Sequence, residues 1–130
     1  FEQLACQASR DRPRELWVNT SEAEIQPAVS PVYELSKRLI GQLVSLRGAN
    51  LSTEQRRRLR LRKLVLGPFR SELNPIGVMT AGFVAKQILV QAQLNLSLII
   101  VTPNPLTYLL MPLNELGRWT YSKALNRRDP

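Results

Sequence analysis

The sequence predicts a small, helix-rich α+β unit with an extended N-terminal arm and one strand at about residues 88–101. Three observations carry that reading. Val32, Leu35, Leu39, Leu43 and Leu46 recur at spacings of three and four behind Ser30-Pro31, which predicts a helix from Pro31 to about Arg47. From Val90 to Leu98 the even positions are apolar and Gln91, Gln93, Asn95 and Ser97 are polar, the period-two pattern of a half-buried strand. The chain has 130 residues, 44% of them hydrophobic, enough for one domain with a modest core. The resulting division is an arm over residues 1–30 and a single compact or membrane-associated domain over residues 31–130.

Each element has a local reason. In the arm, charge alternates in sign around Pro13, a short strand is expected over 15–20, and Trp17 and Val18 anchor the segment on an apolar surface. Ser30 is a good N-cap and Pro31 suits the first helical position. Ser52 with Gln55 three residues later matches a capping box and predicts a second helix over 53–66. The alternation of Leu59 and Leu61 with Arg58, Arg60 and Arg62 has strand spacing, so the two signals compete within that segment. Residues 75–85 are small and apolar and read as a close-packed helix. After the turn at Thr102-Pro103-Asn104-Pro105, a short helix through Met111 is expected to break at Pro112. A last helix follows over about 114–126, with a frayed end at 127–130.

Charge is the most uneven property of the chain. Net charge is +8, yet residues 1–34 carry −3 and residues 35–71 carry +9. Arg56, Arg57, Arg58, Arg60, Arg62 and Lys63 form a block whose like charges repel at helical spacing. Arginine outnumbers lysine fourteen to four, a bias suited to bidentate grip on phosphate or carboxylate. Between Leu73 and Asn114 the sole charged residue is Lys86. Residues 83–101 approach membrane-spanning length, but Lys86 and four amide-bearing side chains interrupt them. Tyr108, Trp119 and Tyr121, with Trp17 in the arm, have the character of interfacial anchors.

Catalytic signals are sparse. The chain has no histidine and one cysteine, Cys6, which argues against a zinc cluster, a disulfide and the commonest general base. Glu22 and Glu24 read as solvated carboxylates. Gly77 and Gly82 have phosphate-loop spacing, but Phe83 and Val84 stand where that loop needs Lys and Ser or Thr.

These features lead to the expectation of a non-enzymatic structural or adaptor subunit, without metal or cofactor, in a larger membrane-associated assembly. The basic block would dock on an acidic protein or an anionic lipid surface, and its partner would neutralise it. An RNA-contacting ribonucleoprotein component is the alternative, because the same block would release counterions from a phosphate backbone. The expected setting is intracellular, in a reducing compartment or an organelle.

Overall fold

The computed structural model of the chain describes residues 2–8, 11–72 and 74–126. In chain order the elements are α1 (Glu2–Gln7), β1 (Arg14–Ser21), a 3-10 turn (Glu22–Glu24), α2 (Pro31–Asn50), α3 (Thr53–Arg58), β2 (Leu59–Leu66), β3 (Phe69–Arg70), β4 (Met79–Thr80), α4 (Ala81–Gln93), β5 (Leu98–Val101) and α5 (Pro105–Asn126). The helix-rich α+β class predicted from the sequence is the class observed. Its sheet is parallel, with the order β1-β2-β5; Trp17 pairs with Arg62, and Lys63 with Leu98.

The central strand β2 separates two cores. Leu64 and Leu66, with Ile99 and Val101 of β5, pack against Met79 and Val84 on the α4 side. Val65 and Ile100 face Met111 of α5 on the other side. A parallel strand needs a long crossover connection to its neighbour, and α2 and α4 are those connections.

Several boundaries differ from the sequence reading, each for an identifiable reason. α2 starts as predicted, with the Ser30 hydroxyl accepting from the Tyr33 N–H, and runs on to Asn50. Its leucine stripe, however, faces outward: Val32, Leu35, Leu39 and Leu43 are 78%, 68%, 59% and 53% exposed. The small residues Gly41 and Ala49 face inward instead, letting the helix approach the rest of the fold closely.

The capping box at Ser52 and Gln55 is present, but its helix stops at Arg58. From Leu59 the leucine–arginine alternation takes over as β2, so the competing signals act one after the other. Most of the strand expected at 88–101 is helix. Thr80 caps α4, and Val84, Ile88 and Ala92 meet the core at spacings of four. Only Leu98–Val101 is extended, and the polar Gln91 of the apparent alternation bonds the Ile100 backbone through both amide atoms.

Pro112 does not break the last helix. α5 continues through it, and the fully buried Met111 holds that turn against the sheet. No helix among the described residues is long and apolar enough to cross a membrane, so residues 83–101 are a helix and a strand rather than a span. The end expected to fray, residues 127–130, lies outside the described residues.

Candidate active site

The sheet's strands all point the same way, so their carboxyl ends form one rim. In open parallel sheets such a rim is the usual place for a ligand crevice. Here it holds a cavity of about 670 Å³ lined by the end of β1, the start of α2 and the segment after β2. Ser21, Tyr33 and Lys37, side chains suited to proton transfer, line it together with the carboxylate of Glu22.

Each is placed by a local rule. Ser21 is the last residue of β1, and its Oγ accepts from the Ala23 N–H at 3.2 Å, which leaves its own O–H free to donate. Tyr33 and Lys37 lie one turn apart at the start of α2, the spacing that puts two residues on one helix face. The Lys37 Nζ stands 5.4 Å from the centroid of the Tyr33 ring. A phenol, a neighbouring ammonium and a hydroxyl donor thus share one crevice. Pro68 and Phe69 add an apolar wall after β2.

The sequence reading missed this site. The available signal was the Tyr33–Lys37 pair in the first turns of the best-predicted helix, shortly after a strand ending in Ser21. Nothing in the linear chain shows that the crossover returns α2 beside the end of β1, and the arginine block is the louder feature.

The basic block is satisfied from within. Arg56 donates to the carbonyls of Gly48, Ala49 and Leu51, capping the end of α2. Arg58 pairs with Glu54. Arg60 bonds the Asn95 side chain and lies 3.8 Å from Glu15. Arg62 grips Glu15 with two bonds at 3.0 and 2.8 Å, donates to the Leu96 carbonyl at 2.6 Å and lies over the Trp17 ring. Arg57 is exposed. Most of the block's cations already meet carboxylates or carbonyls of this chain, so its crowding does not by itself call for an outside partner.

Lys63 is buried at the centre of a cluster. Its Nζ meets Glu24 at 2.8 Å, Glu115 at 2.5 Å, the Gly41 carbonyl and the Ser45 hydroxyl. Arg118 joins both glutamates at 2.9 and 3.3 Å. These residues tie the 3-10 turn, α2, β2 and α5 together, and Glu24 is an inner ion-pair member rather than a solvated carboxylate.

Among the anchor aromatics, Trp17 donates to Glu15, Tyr108 accepts from the Thr102 N–H, and Tyr121 is exposed. Trp119 lies under Lys123 and lines a second cavity of about 580 Å³ between α2 and α5. The sequence reading brought none of the crevice residues together.

No protein-family model and no solved structure matches the chain. It is 43% identical over 116 residues, 89% of its length, to the monoglucosyldiacylglycerol epimerase of Synechocystis sp. (strain ATCC 27184 / PCC 6803 / Kazusa). The chain spans about a quarter of that relative, 27% of its length. An enzyme at this level of identity overturns the expectation of a non-enzymatic structural or adaptor subunit.

Proposed function

We propose that this chain supplies the acid–base side chains of an enzyme that inverts a carbinol centre on the sugar of a neutral glycolipid. The observation that carries the reading is the convergence of Ser21, Tyr33 and Lys37 on one carboxyl-end crevice. The likeness to a protein named as a glycolipid epimerase supports it.

The chemistry follows from the substrate class. A ring carbon bearing only hydroxyl, hydrogen and carbon has no acidic C–H, so inversion runs through the ketone. The hydroxyl gives up its proton, the hydrogen leaves as hydride, and hydride returns to the other face. A carrier of the nicotinamide or flavin class supplies and accepts that hydride when bound. The crevice suits the ring of such a carrier: it lies at the strands' carboxyl ends, with Pro68 and Phe69 as an apolar wall and Lys37 as a polar edge.

The chain's own groups move the proton. As its phenolate, Tyr33 Oη takes the proton from the substrate hydroxyl, and the phenol so formed gives it back after inversion. Lys37 stabilises the charge of that phenolate, and the free Ser21 O–H donates to the substrate oxygen. Val29 lines the crevice and is fully exposed; the exposed Val32 follows it by three residues, and the exposed Ile76 follows the lining residue Asn74 by two. This apolar border suits a headgroup presented at a lipid surface.

In the full-length enzyme, Tyr33→Phe lowers turnover of a glucosyl-diacylglycerol by about 10²–10⁴-fold with the fold retained. Substrate deuterated at the inverted carbon keeps its label in the product. Unchanged turnover in Tyr33→Phe refutes the reading, and loss of the label to water refutes a nicotinamide as the carrier.

A further inference from the structure

The crevice contains a carboxylate that the proton-transfer roles leave unused. Glu22 follows Ser21 directly and lines the same cavity. Its Oε2 accepts from the Thr102 hydroxyl at 2.6 Å and the Thr107 hydroxyl at 3.1 Å. Both threonines are buried and hold the carboxylate from behind.

The direction of these bonds is fixed. The Thr107 oxygen accepts from Gln26 Nε2 at 3.0 Å, so its proton goes to Glu22. Gln26 is itself oriented, its Oε1 accepting from Asn104 Nδ2 at 3.0 Å. The Thr102 oxygen accepts from the Asn104 N–H at 3.2 Å, so its proton also goes to Glu22. Two donors aimed at Oε2 fill both of its lone pairs and leave no proton on it. Among the described residues, Glu22 has no ion-pair partner, and its Oε1 has no hydrogen-bond donor.

A rigid, half-buried carboxylate with one open oxygen calls for strong neutral donors, and O–H groups on a carboxylate make the shortest such bonds. Among the described residues no group of three or more His, Cys, Asp or Glu side chains gathers here. The negative charge also disfavours an anionic head at this point. Resting on the epimerase reading, we infer that Glu22 is the receptor for ring hydroxyls of an uncharged hexosyl head. It sets the ring's orientation against Ser21 and Tyr33, and it selects a neutral glycoside over a sugar phosphate.

The test uses full-length protein and a short-chain, soluble glucosyl-diacylglycerol. Glu22→Ala weakens binding of this probe at least tenfold and raises KM by a similar factor, with a smaller change in kcat. Glu22→Gln keeps the shape and one acceptor oxygen, so it recovers part of the affinity and guards against a folding artefact. A glucose phosphate probe binds more weakly than the neutral one to the wild type, and Glu22→Gln narrows that gap. Probe affinity within twofold of wild type in a folded Glu22→Ala protein overturns the inference. Tyr33→Phe separates the two readings: loss of turnover with retained probe binding concerns the chemistry, and loss of binding in Glu22→Ala concerns the receptor. Glu22-dependent binding by a wild-type protein that never inverts the sugar would sink the first and leave the second standing.

Discussion

Arg62 has a side chain only 4% exposed, and Glu15 is the group that makes its burial tolerable. The two bonds from Arg62 are the main cause that pulls the Glu15 carboxyl from its ordinary 4.5 down to about 2, with burial opposing them. The Trp17 N–H and the nearby Arg60 add to the depression. A carboxylate whose folded pKa is lowered contributes stability that is complete above its unfolded value and lost as pH falls towards the folded one. Wild-type stability therefore declines between about pH 4.5 and 2. Glu15→Gln lowers stability by about 1–3 kcal/mol at pH 7, because the guanidinium keeps only neutral acceptors. In thermal unfolding at several pH values, the gap between the two proteins closes over that window. A gap independent of pH would show that the pair does not govern the acid response. The sequence showed six crowded cations but not their acceptors, because Glu15 lies 47 positions from Arg62. Strand pairing alone brings them together.

At the scale of elements, the junction between α4 and β5 shows why a plausible alternation misled. Asn95 has φ = 66°, the left-handed conformation that asparagine tolerates better than most residues. Its N–H bonds the Ala92 carbonyl, and the Leu96 N–H bonds the Gln91 carbonyl, which together close α4 with a Schellman turn. The helix ends there and β5 begins three residues later. Asn95 was read as one polar tooth of a strand, when it is the stop signal of a helix. Asn95→Val loses about 1–3 kcal/mol in chemical denaturation, since a β-branched residue strains this backbone. Asn95→Gly stays within about 0.5 kcal/mol of wild type. Equal stability for the two variants would remove the backbone explanation. The caps at Ser30 and Ser52 were legible because their logic is local. The path of the chain after Arg58, and the helix that continues through Pro112, depend on packing that adjacent residues do not record.

Over the whole molecule, the Lys63 cluster decides how α2 sits on the sheet, and with it where Tyr33 and Lys37 stand relative to Ser21. Gly41 is the critical contact. A methyl group added there would overlap the Glu24 carboxylate, so the helix and the ion pair fit only without a side chain at that position. Gly41→Ala costs about 1–3 kcal/mol by overpacking, against the usual gain for alanine in a helix. Lys63→Met leaves Arg118 to balance both carboxylates alone and costs about 3–5 kcal/mol. Thermal melts of both variants check this, and a neutral Gly41→Ala would mean that α2 is held by other contacts. The helical part of the fold class was readable from the cap and stripe of α2, whereas the strand read at residues 88–101 is mostly helix and the leucine–arginine alternation read within a helix is β2. The site was not readable, because its members sit on different elements that meet only after the sheet has formed. Glu22, Glu24 and Glu115 look alike in the chain, and their surroundings alone separate a crevice-lining carboxylate from a buried and a half-buried counterion.

The strand order carries one more consequence. β1 is bonded to β2 on one flank, and among the described residues no strand pairs with its other flank, where alternate residues of the eight turn their amides and carbonyls outward. A strand laid along it in the same direction would finish at the level of Ser21, delivering its own following loop to the mouth of the crevice. The seam through which the fold can widen is thus also the seam through which its chemistry can gain a further wall.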